Sequence, residues 1–161
     1  MPDLTGRGMR RALLALASAT ALAAFGLPAT GVARTAHAAG RTVHVIEHAN
    51  TDDEIPTGGG KDVKGNILTF VNPIYNAANT RQVGHDEGFC TRLDPQKGVW
   101  ECLWTTFVNG GQITVQGPFY DTRNSTLAIT GGTGPYRNAR GQMKLVSRNG
   151  GKAYDFIFEL S

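Results

Sequence analysis

Two side chains in this 161-residue chain are of kinds that can move a proton or hold an oxygen in place, and both stand at strand spacing among apolar neighbours. In Arg41–His48, RTVHVIEH, Val43, Val45 and Glu47 share one face, because alternate residues of a strand point the same way. In NILTFVNPI, from Asn66, Leu68, Phe70, Asn72 and Ile74 share one. If those faces line an interior, Glu47 and Asn72 are buried polar groups in a greasy space. Burial without a cation raises a carboxyl's pKa, and a carboxyl that titrates near neutrality can donate or accept a proton. Glu47 is therefore the candidate acid or base, and Asn72 the candidate for positioning an oxygen. The opposing expectation is that either residue faces outward or serves as an internal hydrogen-bonding group.

Other chemistries find less support. Ile129–Gly141, ITGGTGPYRNARG, is rich in glycine, yet no Lys follows as in a phosphate-binding P-loop, and Arg137 stands where a dinucleotide fingerprint needs its third Gly. The GQMKLVSR that follows alternates like a strand, so the glycines are expected to turn the chain between two strands. Cys90 and Cys102 are the two cysteines, and in an exported protein an even pair reads as a disulfide. The Asp94-Pro95 and Lys97-Gly98 signals between them place the sulfurs side by side across a hairpin. Two Cys without a matched His pair make no zinc site, so no metal or cofactor is expected. Asp52, Asp53 and Glu54 lack the spaced oxygens of a calcium loop. His44 and His48 fall opposite Glu47, His85-Asp86-Glu87 reads as a strand end or bulge, and no G-x-S-x-G elbow marks a hydrolase.

The elements that must carry these residues are strands. About eight strand-like segments, separated by turn signals such as TGGGK, NAANT, DPQKG and RNGG, succeed one another without an amphipathic helix. Asn109-Gly110 and Asn149-Gly150 suit tight hairpins that need φ > 0 at both central residues. This is the pattern of an all-β fold, an eight-stranded antiparallel up-and-down β-barrel whose closure removes exposed edges. Asn50–Lys64 is polar and turn-rich, and is expected to loop over one mouth.

Residues 1–38 read as a secretory signal peptide: Arg7, Arg10 and Arg11, an apolar run, and an Ala36-His37-Ala38 cleavage site. Pro28 breaks that run short of a membrane span, so the expected product is residues 39–161, one secreted domain without a stable membrane anchor. The whole chain carries net charge +3, but removal of the leader leaves twelve basic and twelve acidic residues. That balance gives no electrostatic case for a nucleic-acid partner. VWECLWTTFV, from Val99, is apolar on both faces, which points to an exterior covered by another subunit.

Thr114–Leu145, TVQGPFYDTRNSTLAITGGTGPYRNARGQMKL, resembles the segment that marks plant allene oxide cyclases, and its AITGGTGPYRNARG core is similar to dirigent proteins of the same barrel superfamily. HVIEH, TFVNPIY and GFC extend the resemblance across the domain. It implies a trimeric, lipocalin-like barrel whose apolar cavity folds a flexible, reactive molecule into one stereochemical product. Residue by residue, it implies a substrate site containing Glu47, Pro56, Asn72 and Cys90, with Phe70 and Phe119 among the aromatic surroundings. Ala49, Ile55 and Phe119 replace an Asn, a small polar residue and a Tyr of the family pattern. The expected function is thus an exported isomerase-like barrel that binds a hydrophobic small molecule and directs its cyclisation or stereochemistry. The alternatives are a non-catalytic carrier of such a molecule, or a barrel packed solid for a structural role.

Overall fold

The computed structural model describes residues 40–161, so the expected leader lies outside the described residues. Nine strands follow in order: β1 (Arg41–His48), β2 (Asp53–Ile55), β3 (Ile67–Asn76), β4 (Gln82–Asp94), β5 (Val99–Val108), β6 (Gly111–Tyr120), β7 (Ser125–Thr133), β8 (Gly141–Arg148) and β9 (Ala153–Leu160). From β3 to β9 each strand pairs antiparallel with the next, β9 pairs with β1, and β1 closes on β3 through Val45–Asn76, Ile46–Tyr75 and Glu47–Ile74. Eight strands thus make the closed barrel expected from the sequence. The short β2 lies outside it, paired to the start of β3, so the Asn50–Lys64 segment is partly ordered into the sheet rather than being all loop.

Strand parity supplies the core. Val43, Val45 and Glu47 of β1 are buried, as are Trp100, Cys102, Trp104, Thr106 and Val108 of β5, Leu127 and Ile129 of β7, and Phe156 and Phe158 of β9. Both expected Asn-Gly hairpins form, with φ of 51° and 76° at Asn109-Gly110 and 50° and 68° at Asn149-Gly150. The glycine-rich stretch divides its work. Gly131 and Gly132 continue β7, and Gly134, at φ 57°, opens a single 3₁₀ turn over Gly134–Tyr136. A side chain at Gly132 would run into the carbonyl oxygens of Gln112 and Tyr136, each 2.5 Å from the added carbon. The glycine there answers to close backbone approach, not to a phosphate.

Cys90 and Cys102 are opposite one another on β4 and β5 and form a disulfide. The crosslink closes a short loop, so replacing both cysteines by Ala should destabilise the barrel by about 3 kcal/mol, through a less restricted unfolded chain. Urea unfolding of the oxidised and the mutated protein would show this, and a change below about 1 kcal/mol would mean that the hairpin is pinned without it.

Ionic contacts cluster where β4 ends and β5 begins. Arg92, buried at the end of β4, reaches Asp62 and Asp121 at 2.6 Å each and lies over the Trp100 ring, 4.0 Å from its centre. Trp100 Nε1 donates to Asp121. Asp62 comes from the segment after β2, so this cluster also ties that segment down.

Candidate functional site

The end of β1 and the starts of β3 and β9 meet at the mouth covered by residues 49–66. There the packed core gives way to a small cavity of about 40 Å³ with an open mouth. Its wall is mostly aromatic: Phe70, Trp104, Phe119, Tyr154 and Phe156. Edge-on contacts at 6.1 Å between Phe70 and Trp104 and 5.8 Å between Phe119 and Tyr154 hold these rings in place. The Cys90–Cys102 disulfide, Leu68 and Leu145 complete the apolar surface. Two acidic side chains, Glu47 and Asp52, are the charged groups of the wall.

Glu47 is 5% exposed. Its Oε1 accepts from Asn72 Nδ2 at 2.6 Å, and its Oε2 has no hydrogen-bond partner among the described residues. Burial pushes its pKa up to about 8; the Asn72 hydrogen bond opposes that rise, and the charge of Asp52 adds to it. Near neutrality the group can therefore hold or release a proton at Oε2.

Asn72 sits behind this carboxyl, wholly buried, rather than on the cavity wall. Its second amide hydrogen goes to Asp52 Oδ1 at 2.7 Å, and its Oδ1 accepts from the backbone N–H groups of Asn50 and Thr51, both at 2.9 Å, and from Thr51 Oγ1 at 3.1 Å. One amide thus fixes the acid, the second carboxyl and the chain leaving β1. Its polar atoms are fully engaged within the protein.

The structure brings Glu47, Phe70, Cys90 and Phe119 to the cavity wall. Pro56 stands apart. It is exposed and borders a surface depression with Glu54, Lys61 and Asn66. Three residues passed over in the sequence join the site. Asp52 is drawn in from the acidic loop by Asn72, for which no strand pattern gives a signal. Tyr154 shares its strand face with Phe156 and Phe158, a pattern legible in AYDFIFEL. Burial, then the charges of Glu47 and Asp52, push its hydroxyl up to about 12, so it stays protonated.

Asp86 is the third, and HDEG is not a strand end. It lies within β4, where Asp86 pairs with Asn72 on one side and Thr106 on the other. Asp86 is 0% exposed, and neither carboxyl oxygen has a partner among the described residues; Thr106 Oγ1 and Trp104 Nε1 nearby are also unpaired and sealed from water. Burial first, and the charge of Glu47 second, raise its pKa well above the carboxylate range. Parity with Cys90, four residues on, could have revealed that it points inward. Among the described residues no group of three or more His, Cys, Asp and Glu converges as metal ligands would, and no helix there is long and apolar enough to cross a membrane.

The family model for allene oxide cyclase matches residues 40–148. Among solved structures, a pyocyanin demethylase aligns over 75% of this chain and 100% of its own at 22% identity and a TM-score of 0.65. A pterocarpan synthase dirigent protein covers 74% of this chain and 86% of its own at 18% identity, TM-score 0.62. An exo-specific intermolecular Diels-Alderase covers 76% and 98% at 13% identity, TM-score 0.60. At these identities the structural likeness speaks for the fold alone.

Proposed function

The chain belongs to the allene oxide cyclase family, and we propose that its barrel binds a hydrophobic small molecule in the Glu47 cavity and directs its cyclisation or stereochemistry. One observation carries this reading: a nearly buried carboxyl with a free oxygen on the wall of an aromatic cavity. Ligand pockets are mostly apolar with few, well-placed polar groups. The ring wall would hold one conformer of a flexible molecule, which is the larger part of such catalysis. Glu47 Oε2 would give its proton to an oxygen of the substrate as the ring-forming electrons move, and take one back from the product or from water. Asn72 would fix the direction of that transfer.

The cavity reading is supported by geometry, and turnover is what separates an isomerase from a carrier. Unsaturated epoxides whose spontaneous cyclisation is racemic provide the test, read by chiral chromatography. The wild-type protein should give an enantiomeric excess. Leu68→Trp, which puts an indole into the cavity, should cut that excess and ligand uptake at least tenfold at unchanged circular dichroism. A racemic product from wild type, with the ligand bound but recovered unaltered, would make the protein a carrier.

Residues 1–38 would direct export and leave 39–161 as the working domain, in keeping with the disulfide. Phe89 and Leu103, paired across β4 and β5, and Val71 on β3 are exposed on the outer face. That face would bury itself against other copies of the chain, as in the trimer implied by the family.

A further inference from the structure

We propose that the Glu47 cavity selects a small aromatic cation over the neutral molecule of the same shape, and over one bearing a carboxylate. This rests on the cavity being the binding site, not on Glu47 being the proton donor, because a bound cation would hold that carboxyl ionised; it goes on to name the ligand's charge. The wall combines five aromatic rings, whose faces attract cations, with two carboxyl side chains and no Lys, Arg or His. The free Oε2 of Glu47 belongs to a side chain that is 5% exposed, so a positive charge placed there would meet it in a poorly solvated space.

The titratable groups around Glu47 all favour the same sign. Asp52 comes from the segment before β2, Tyr154 from β9 and Asp86 from β4, and none of them is basic. The buried cation among the described residues, Arg92, does not line the cavity and is paired with Asp62 and Asp121. An anionic ligand would therefore enter without a counter-ion, and its own charge would oppose ionisation of Glu47. A cation does the reverse, drawing the proton off Glu47 as it binds. Its affinity must then rise with pH through the range in which the empty protein's Glu47 titrates. The enclosed space is small, about 40 Å³, well below that of most ligand pockets, so only a compact flat molecule suits it, with part of its rings in the open mouth.

The test uses three molecules of one shape, 1-methylquinolinium, 1-methylnaphthalene and 1-naphthoate, titrated calorimetrically into the exported, disulfide-bonded protein. At pH 8.5 the cation should bind roughly tenfold more tightly than the neutral isostere, and naphthoate more weakly than either. Between pH 6.5 and 8.5 the cation's affinity should rise about tenfold while that of 1-methylnaphthalene stays level. Glu47→Gln should remove that pH dependence and most of the cation preference, with 1-methylnaphthalene binding unchanged. Equal affinities for all three, or naphthoate the tightest, would overturn the charge assignment and leave the cavity as a binding site. Failure of all three to bind would overturn both.

Discussion

Glu47→Gln should leave the barrel's stability unchanged at pH 5, raise it by roughly 3–5 kcal/mol at pH 9, and abolish turnover while sparing the binding of neutral ligands. The sign follows from linkage. A carboxyl whose pKa is raised by folding, here from 4.5 to about 8, favours the folded state fully below 4.5. That contribution is lost as pH rises through about 8, because the folded state must then hold a buried charge that the unfolded chain holds in water. Each tenfold change in the acid's ionisation constant corresponds to about 1.4 kcal/mol. Gln keeps the oxygen that accepts from Asn72 and has no proton to lose, so the variant escapes the alkaline penalty. Removal of the Glu47 charge should also ease ionisation of Asp86, whose own raised pKa works in the same direction. Thermal melts of both proteins at pH 5, 7 and 9 would show two curves that coincide at acid pH and separate as pH rises. Parallel curves would mean that Glu47 is ionised throughout and no proton donor.

The barrel was legible because its physics is local. Alternation in RTVHVIEH and VWECLWTTFV says which residues face in, and Asn-Gly turns say where the chain reverses. Closure adds only the pairing of β1 with β3 and β9. Glu47 was legible for the same reason, as a polar residue on an apolar face. What parity cannot show is where a side chain's hydrogen bonds go. Asn72 reads as a group facing a ligand, yet its five contacts are all internal. Nor does parity reach into an irregular segment, so Asp52 reads as one of three solvated acids until Asn72 is seen to claim it.

Asp86 marks a different limit. Two acidic side chains buried in a hydrophobic interior, Glu47 and Asp86, oppose stability, and local patterns that favour a uniform core discount them. Such groups persist in folds where function requires them. Here they give one end of the barrel a demand for positive charge or for protons, while the opposite sign at Arg92 is already paired with Asp62 and Asp121.

Asn72→Leu should be the most damaging single change at the site, destabilising the barrel by about 3–5 kcal/mol and moving Glu47's titration above pH 8. Leu matches the amide's size closely enough that the loss is chiefly of hydrogen bonds. Glu47 and Asp52 each lose a donor, and the N–H groups of Asn50 and Thr51 lose their acceptor. A buried polar group left without its partner costs about 1–3 kcal/mol, and not all of these can turn to water without opening the segment before β2. The Asn72 bond is what lowers Glu47's pKa against burial, so its removal must raise that pKa, and catalysis should shift to more alkaline pH. A double-mutant cycle with Glu47→Gln separates the two effects. The stability loss should persist in the double mutant, because the loop's N–H groups remain unpaired, whereas the pH dependence should vanish with the carboxyl. A loss below about 1 kcal/mol, with Glu47's titration unmoved in carboxyl-labelled NMR, would mean that water replaces the amide at no cost and that Asn72 does not position the acid.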